Sequence, residues 1–185
     1  QLKSCKSPTE IAKMVLKKSR QIKHSDWIFG FGWDQTLWQK NQFPLANILN
    51  DLHLTQPVLL TRIDGHACWA NDVAMKMSGM NIKADPPEGG KVINNCILID
   101  NAMNPIKKLI PEYDEKTVRK WIKLALKIIT SRGITNVHDA WQEPLTINVI
   151  KDLEEKQELP IRCFGMLGSS YDTLLESFFK NGIYS

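Results

Sequence analysis

The chain has 185 residues, of which 43% are hydrophobic and 24% are charged, a composition typical of a globular protein with a buried core. Its net charge of +4, from 24 basic and 20 acidic residues, is too small to indicate nucleic-acid binding. No apolar run approaches the ~20 residues that a transmembrane helix needs, and no hydrophobic stretch follows the basic N-terminus as in a signal peptide. These features predict a single soluble, cytoplasmic domain over residues 1–185, with no nucleic-acid or membrane partner.

The first part of the chain is predicted to contain one helix and two strands in sequence. Ser7 is a suitable N-cap for the helix, and a strand follows over 27–33. The run 57–62 is apolar on both faces, as expected of a buried parallel strand. Trp69 then opens a stripe of apolar residues at helical spacing, which predicts a second helix over 69–79.

The second part of the chain combines a predicted hairpin with an alternation of helices and strands. Strands over 91–93 and 96–99 are joined by Asn94-Asn95, which is typical of a hairpin turn. Asp114 is a suitable cap for the longest helix. Strands at 134–137 and 161–167 then alternate with helices at 145–156 and 171–180. This order indicates an α/β fold with parallel strands and right-handed crossovers.

Polar residues follow three of the predicted strands. Asp34 follows the first strand, Asp64 and His66 follow the second, and His138 and Asp139 follow the strand after the longest helix. Ligand-binding residues commonly stand at strand ends in α/β proteins, so these clusters predict one shared pocket rim. Each cluster is also typical of ordinary turns. For His66 and His138, a structural role, in which the ring is hydrogen-bonded and orders a strand-end loop, is as consistent with the sequence as a role in the pocket.

The sequence contains no complete set of catalytic or metal-binding residues. The histidines are far apart, with neither H-x-H nor H-E-x-x-H spacing. The four cysteines form no C-x-x-C pair, which indicates free thiols in a reducing compartment. Asp64 with His66, or His138 with Asp139, could form an acid–base pair. A neighbouring aspartate is as often only the residue that orients the imidazole.

A series of sequence blocks resembles one known family. The blocks are WIFGFGWDQTLW (27–38), Phe43-Pro44, PVLLTRIDGHACWAND (57–72), PPEGGK (86–91) with the hairpin after it, LIDNAM (98–103) and GITNVHDAW (133–141). In this order they resemble the amidohydrolase superfamily, and specifically its YtcJ-like branch, which includes N-substituted formamide deformylases.

The resemblance implies a metal-dependent hydrolase with a (β/α)₈ barrel and an attached β-sandwich, acting on C–N bonds other than peptide bonds, in amides or formamides. A divalent metal, usually zinc, activates water in such enzymes, and a metal-bound aspartate moves the proton. The family's H-x-H would lie upstream of Gln1, and its later Lys, His, His and Asp ligands beyond Ser185. The chain is therefore expected to be an internal segment, a partial (β/α) barrel with a small inserted β-hairpin subdomain. No metal is expected in the chain itself.

On this interpretation the polar strand ends contact a small amide-type substrate rather than a metal. The predicted substrate-binding residues are Trp33, Asp34, Arg62, Asp64, His66, His138 and Asp139. Asp64 and His66 could hydrogen-bond the substrate or a neighbouring loop, and Trp33 could form a pocket wall. One alternative is a stand-alone α/β small-molecule-binding module without catalysis. Another is a segment that completes a site by pairing with a second chain, since an incomplete barrel exposes sheet edges and favours self-association.

Overall fold

The computed structural model describes residues 1–80, 86–168 and 171–182, and the chain divides into two compact units. The N-terminal unit is Gln1–Pro111 and the C-terminal unit is Glu112–Ser185. The N-terminal unit contains strands β1 (Ile28–Trp33), β2 (Val58–Arg62), β3 (Ala67–Ala70), β4 (Gly90–Ile93) and β5 (Ile97–Asp100), and helices α1 (Pro8–Ser19), α2 (Asn47–Asn50), α3 (Asp72–Met77) and α4 (Asn104–Lys107). The C-terminal unit contains helices α5 (Glu115–Ser131), α6 (Pro144–Glu155) and α7 (Asp172–Asn181), and strands β6 (Asn136–Gln142) and β7 (Arg162–Leu167).

The N-terminal unit is built on a five-stranded sheet in the order β1-β2-β3-β5-β4. β1 and β2 are parallel, with Ile28 opposite Val58, and the other pairs are antiparallel. The predicted parallel strand over 57–62 is therefore confirmed. It is apolar on both sides because both faces of the sheet are covered. Leu60 lies in one core cluster with residues of α1, and Leu59 lies in a second cluster with residues of α3 and α4.

α1 begins at the residue that the sequence predicts. The Ser7 hydroxyl accepts a hydrogen bond from the Glu10 N–H at 3.2 Å, and the Glu10 carboxylate accepts one from the Lys6 N–H at 2.7 Å. The first bond satisfies a backbone donor of the first helical turn, and the second satisfies the backbone N–H that precedes the N-cap. Ile11 and Val15 then place the buried side of the helix in the core cluster that contains Leu60.

β4 and β5 form the predicted hairpin. Ile93 lies opposite Ile97, so three residues connect the strands, and the first two, Asn94 and Asn95, have positive φ angles of 52° and 58°. Asparagine adopts such angles more readily than most other residues. β5 also pairs with β3, where Ile99 lies opposite Ala67. The hairpin therefore forms one side of the five-stranded sheet rather than a separate inserted subdomain.

The helix predicted over 69–79 is wrong in its first residues. Trp69 lies in β3, all four residues of which are buried. β3 is hydrogen-bonded to β2 on one side and to β5 on the other, and this long-range pairing outweighs the helical spacing of the apolar residues. The helix begins only at Asp72, where Asn71 caps it by accepting a hydrogen bond from the Ala74 N–H at 3.1 Å.

The C-terminal unit contains the predicted alternation of helices and strands. β6 and β7 are parallel and are joined by α6. Asp114 caps α5 by accepting a hydrogen bond from the Thr117 N–H at 2.8 Å, which confirms the predicted start of that helix. The core of this unit consists of Leu126, Val149, Leu153 and Ile161. None of the described helices, in either unit, is long and apolar enough to cross a lipid bilayer.

Candidate functional site

Several chain segments of the N-terminal unit meet at one edge of its sheet. β1 and β2 both end there, with Trp33 opposite Arg62. β3 begins there because it is antiparallel to β2, and β5 ends there at Asp100. The short connection from β2 to β3 contains Asp64 and His66. The edge therefore gathers polar residues that are far apart in the sequence.

Arg62 and Asp64 form a bidentate ion pair at this edge. Arg62 Nε donates to Asp64 Oδ1 at 2.9 Å, and Arg62 Nη2 donates to Asp64 Oδ2 at 2.6 Å. These hydrogen bonds are the main reason that the pKa of the Asp64 carboxyl is lowered, and the His66 N–H adds to the effect. The Arg62 guanidinium is itself held over the Phe43 ring, 5.7 Å from the ring centroid. The Asp64 carboxylate is therefore ionised and fixed in orientation.

His66 is held through both its backbone and its ring. Its N–H donates to Asp64 Oδ1 at 3.1 Å, and its carbonyl accepts the Asp100 N–H at 3.1 Å. Its Nδ1 lies 2.9 Å from Asp100 Oδ1. The His66 and Asp100 side chains remain 71% and 51% exposed, so a molecule from solvent can reach the ring.

Asp100 belongs to this site although it is not among the residues predicted from the sequence. It lies 34 residues after His66, and the pairing of β5 with β3 brings the two together. The signal that points to it is its place in the block LIDNAM, one of those that carry the family resemblance. Arg62, Asp64, His66 and Asp100 together are called the His66 cluster below.

Trp33 lies in the hydrophobic core of the N-terminal unit, and its predicted role as a pocket wall stays a prediction. Its side chain is fully buried, and Nε1 donates to the Leu60 carbonyl at 2.7 Å. Its ring centroid lies 6.0 Å from that of Trp38 and 6.3 Å from that of Phe43. The indole is thus a buried packing residue at the ends of β1 and β2.

Asp34 is engaged by its own loop. Its Oδ1 accepts hydrogen bonds from the Thr36 N–H at 2.9 Å and from the Thr36 hydroxyl at 2.7 Å. These bonds cap a short 3₁₀ turn, Gln35–Leu37. Asp34 thus acts as an ordinary turn residue here, which is the alternative to substrate binding that the sequence allowed.

His138 and Asp139 lie within β6 and not after its end. The predicted strand end before His138 is wrong because pairing with β7 continues to Gln142. The His138 ring packs against Phe164 with 5.2 Å between centroids, and Asp139 Oδ1 accepts the Trp141 N–H at 3.3 Å. Both residues belong to the C-terminal unit, and a pocket rim shared with the His66 cluster stays a prediction.

A separate cavity of about 480 Å³ lies within the C-terminal unit, among α6, β7 and α7. Its wall is mostly apolar and includes Ile147, Ile150, Leu159, Leu167 and Phe178. The buried side chain of Gln142 contributes an amide group to the wall. Of the described residues that line the cavity, none is a predicted site residue.

The described residues do not fit the metal that the family resemblance implies. Among residues 1–80, 86–168 and 171–182, no three His, Cys, Asp or Glu side chains are grouped so that they could hold a metal ion. His66 Nδ1 and Asp100 Oδ1 are already engaged with each other. Burial raises the pKa of Cys68 and of Cys96 to about 12, so these thiols are protonated in the core of the N-terminal unit.

Comparison with known proteins places the chain in a family. Residues 1–182 match the model of the Amidohydrolase family. The chain belongs to the amidohydrolase family. Protein LONG AFTER FAR-RED 3 of Arabidopsis thaliana is 30% identical to this amidohydrolase chain over 144 residues, 75% of the chain and 24% of that protein. YtcJ of Bacillus subtilis (strain 168) is 27% identical over 143 residues, 74% of the chain and 27% of that protein.

The resemblance to YtcJ-like amidohydrolases is thus confirmed, and the chain spans about a quarter of the length of these curated relatives. Two solved structures share the fold. An uncharacterized metal-dependent hydrolase from Pyrococcus horikoshii OT3 matches with a TM-score of 0.60 at 22% identity, over 98% of the amidohydrolase chain and 35% of that structure. One from Pyrococcus furiosus matches with a TM-score of 0.55 at 22% identity, over 94% of the chain and 34% of that structure.

Proposed function

We propose that the chain is a segment of a metal-dependent hydrolase that acts on C–N bonds other than peptide bonds, in amides or formamides. Membership of the amidohydrolase family supports the hydrolase class. The observation that carries the proposal is the His66 cluster, an exposed set of hydrogen-bonding groups at the edge where β1 and β2 end. Substrates of α/β enzymes commonly bind at this edge of a sheet.

The parent fold in this proposal is a (β/α) barrel. The parallel pairs β1–β2 and β6–β7 support it, because barrel strands are parallel neighbours. β6 and β7 also carry large apolar side chains on open surface, including Trp141 at 58% and Phe164 at 52% exposure. Exposed apolar surface of this kind supports the proposal that further parts of the barrel cover this face.

A divalent metal, zinc or another ion, is proposed to be held by residues outside this chain, since the described residues do not fit it. When bound in such enzymes, the ion activates water for attack on a carbonyl carbon. The contribution of this chain is to bind and orient the substrate, and the chain alone is expected to be inactive.

Asp64 and His66 are proposed to make the orienting contacts. Asp64 is ionised and held in place by Arg62, so its carboxylate accepts hydrogen bonds from donors on the substrate. The His66 ring is anchored at Nδ1, while Nε2 has no partner among the described residues. Fixed groups of this kind hold an amide in one geometry relative to the reacting centre, which lowers the entropic part of the barrier.

The test is a hydrolysis assay on the longer protein that contains this chain. We expect N-substituted formamides or small amides to be cleaved, and peptides and carboxylic esters to remain intact. Product formation from a panel of these substrates, measured by chromatography with and without added zinc, gives the result. The 185-residue chain assayed in parallel is the control and should give no turnover. Cleavage of peptides without cleavage of amides would contradict the proposal.

A second candidate function, a small-molecule-binding module without catalysis, is favoured by the cavity of the C-terminal unit. Its volume of about 480 Å³ is within the range of ligand pockets, and its wall combines apolar side chains with the Gln142 amide. A binding module predicts that the longer protein turns over none of the panel. The same assay therefore separates the two candidates.

A further inference from the structure

Asp100 has a backbone conformation that is unusual for a residue with a side chain. Its φ of 49° and ψ of −120° match the second residue of a type II′ turn, a position that glycine normally occupies. A residue held in such a conformation stores strain, and it persists only where its surroundings over-determine it. Such residues are often found at functional sites.

Asp100 contacts His66 through both its backbone and its side chain, and it also pairs with Gly90 of β4. The Asp100 N–H donates to the His66 carbonyl at 3.1 Å, and Asp100 Oδ1 lies 2.9 Å from His66 Nδ1. On its other side His66 donates its own N–H to Asp64, and Arg62 fixes that carboxylate. Two aspartates therefore position His66. Asp64 holds its backbone N–H, and Asp100 holds Nδ1 of its ring.

The contact between Asp100 and His66 selects one form of the neutral imidazole. A carboxylate oxygen only accepts hydrogen bonds, so the proton of this contact lies on Nδ1. A neutral imidazole carries one proton, and the nitrogen without it is an acceptor. With Nδ1 protonated, Nε2 is the acceptor.

We propose that Asp100 is a positioning residue that holds neutral His66 as its Nδ1–H form, so that Nε2 accepts a hydrogen bond from the N–H of an amide-type substrate. The substrate part of this inference rests on the proposed function, whereas the part about the imidazole proton does not. An N-substituted formamide carries one N–H donor for Nε2, and a carboxylic ester of the same shape carries none. A site built to accept this hydrogen bond favours the amide, because the ester leaves the acceptor unpaired.

The direct test of the imidazole form is nitrogen NMR of the chain labelled with ¹⁵N-histidine, at a pH at which the rings are neutral. A His66→Gln variant assigns the His66 signals. We expect His66 to show a protonated Nδ1 and an unprotonated Nε2. His53 is the internal control, because its ring is exposed and lies outside the His66 cluster. A protonated Nε2 on His66 in the unaltered chain would overturn the proposal.

Substitutions of Asp100 test whether this residue is the cause. In Asp100→Ala and Asp100→Gly the carboxylate is lost, and we expect the proton to move to Nε2 of His66 while the His53 signals stay unchanged. Asp100→Asn keeps an acceptor oxygen, so we expect it to retain the Nδ1 proton. An Nδ1 proton that persists in Asp100→Ala would overturn the positioning role.

The strain at Asp100 gives a second readout that does not depend on the histidine. Asp100→Ala and Asp100→Gly both lose the carboxylate, but only glycine adopts the positive φ without strain. We expect the glycine variant to have a melting temperature a few degrees above that of the alanine variant. Equal melting temperatures would overturn the view that Asp100 is held in a strained conformation for its contact with His66.

Turnover by the longer protein separates failure of this inference from failure of the proposed function. With the proton moved to Nε2 in Asp100→Ala, we expect kcat/KM for a formamide to fall about 10-fold, the loss of roughly one hydrogen bond. We expect Asp100→Asn to restore most of it. An unchanged kcat/KM in Asp100→Ala would overturn the assignment of Nε2 to the substrate. Absence of turnover in the unaltered protein would instead overturn the proposed function and leave the NMR result as the test of Asp100.

Discussion

Replacing Asn71 with alanine is expected to lower the free energy of unfolding of the N-terminal unit by about 3–5 kcal/mol. The Asn71 side chain is buried, and its Oδ1 accepts hydrogen bonds from the Val58 N–H at 2.9 Å and the Ala74 N–H at 3.1 Å. Its Nδ2 donates to the Gln56 carbonyl at 3.0 Å. Alanine leaves all three backbone groups buried without partners, at about 1–3 kcal/mol for each group that water cannot reach. Denaturant unfolding followed by tryptophan fluorescence measures the change.

Asn50→Ala is the matched control for Asn71→Ala. Asn50 also supports the start of α3, since its Oδ1 accepts the Asp72 N–H at 2.9 Å, but it is only half-buried and makes one such bond. Its removal is expected to cost about 1 kcal/mol. Equal losses in the two variants would contradict the role given to the buried Asn71 network.

Replacing Trp33 with alanine is expected to destabilise the N-terminal unit by about 3–5 kcal/mol, the usual range for a large aromatic residue removed from a core. The indole is fully buried, and its N–H donates to the Leu60 carbonyl. The variant therefore leaves both a cavity and an unpaired carbonyl at the end of β2. The same unfolding experiment measures the effect.

Trp121→Ala is the control for Trp33→Ala, because Trp121 is 47% exposed on α5 and, among the described aromatic rings, forms a T-shaped pair with Tyr113 alone. We expect it to cost about 1 kcal/mol. If Trp33→Ala kept full stability in the chain and lost only activity in the longer protein, Trp33 would be a pocket wall after all.

The elements that follow short-range rules could be predicted from the sequence. Asn94-Asn95 predicts the hairpin because a tight turn with positive φ favours such residues. Asp114 predicts the start of α5 because an aspartate side chain satisfies free N–H groups of the first turn. Both outcomes depend on groups only a few residues apart.

Features that depend on long-range pairing could not be predicted in this way. Trp69 has helical spacing with its neighbours, yet it is in a strand because β2 and β5 flank it. His138 was expected at a strand end, but its partner strand extends the pairing past it. The Asp100–His66 contact exists only because β3 and β5 are neighbours, and no local pattern records that. The residues predicted from the sequence therefore included Arg62, Asp64 and His66 of the His66 cluster but not Asp100.

The family was found from the order of whole sequence blocks, whereas the chemistry of single residues left several functions open. An Asp-Gly-His turn is typical of loops in many proteins. The same turn inside a YtcJ-like arrangement of blocks indicates a hydrolase, and the match over residues 1–182 confirms the family. The structure adds that Asp64 and His66 stand together in one hydrogen-bonded group, while Trp33 and Asp34 serve the core and a turn.

The most direct test of the account is kcat/KM for an N-substituted formamide in the longer protein with His66→Ala, measured beside His53→Ala. The account predicts a fall of about 10- to 100-fold for His66→Ala, since the ring supplies one strong hydrogen bond to the reacting amide. It predicts no change for His53→Ala, because that exposed ring lies outside the His66 cluster. An active protein in which His66→Ala leaves kcat/KM unchanged would show that the cluster is a structural turn and not the substrate site.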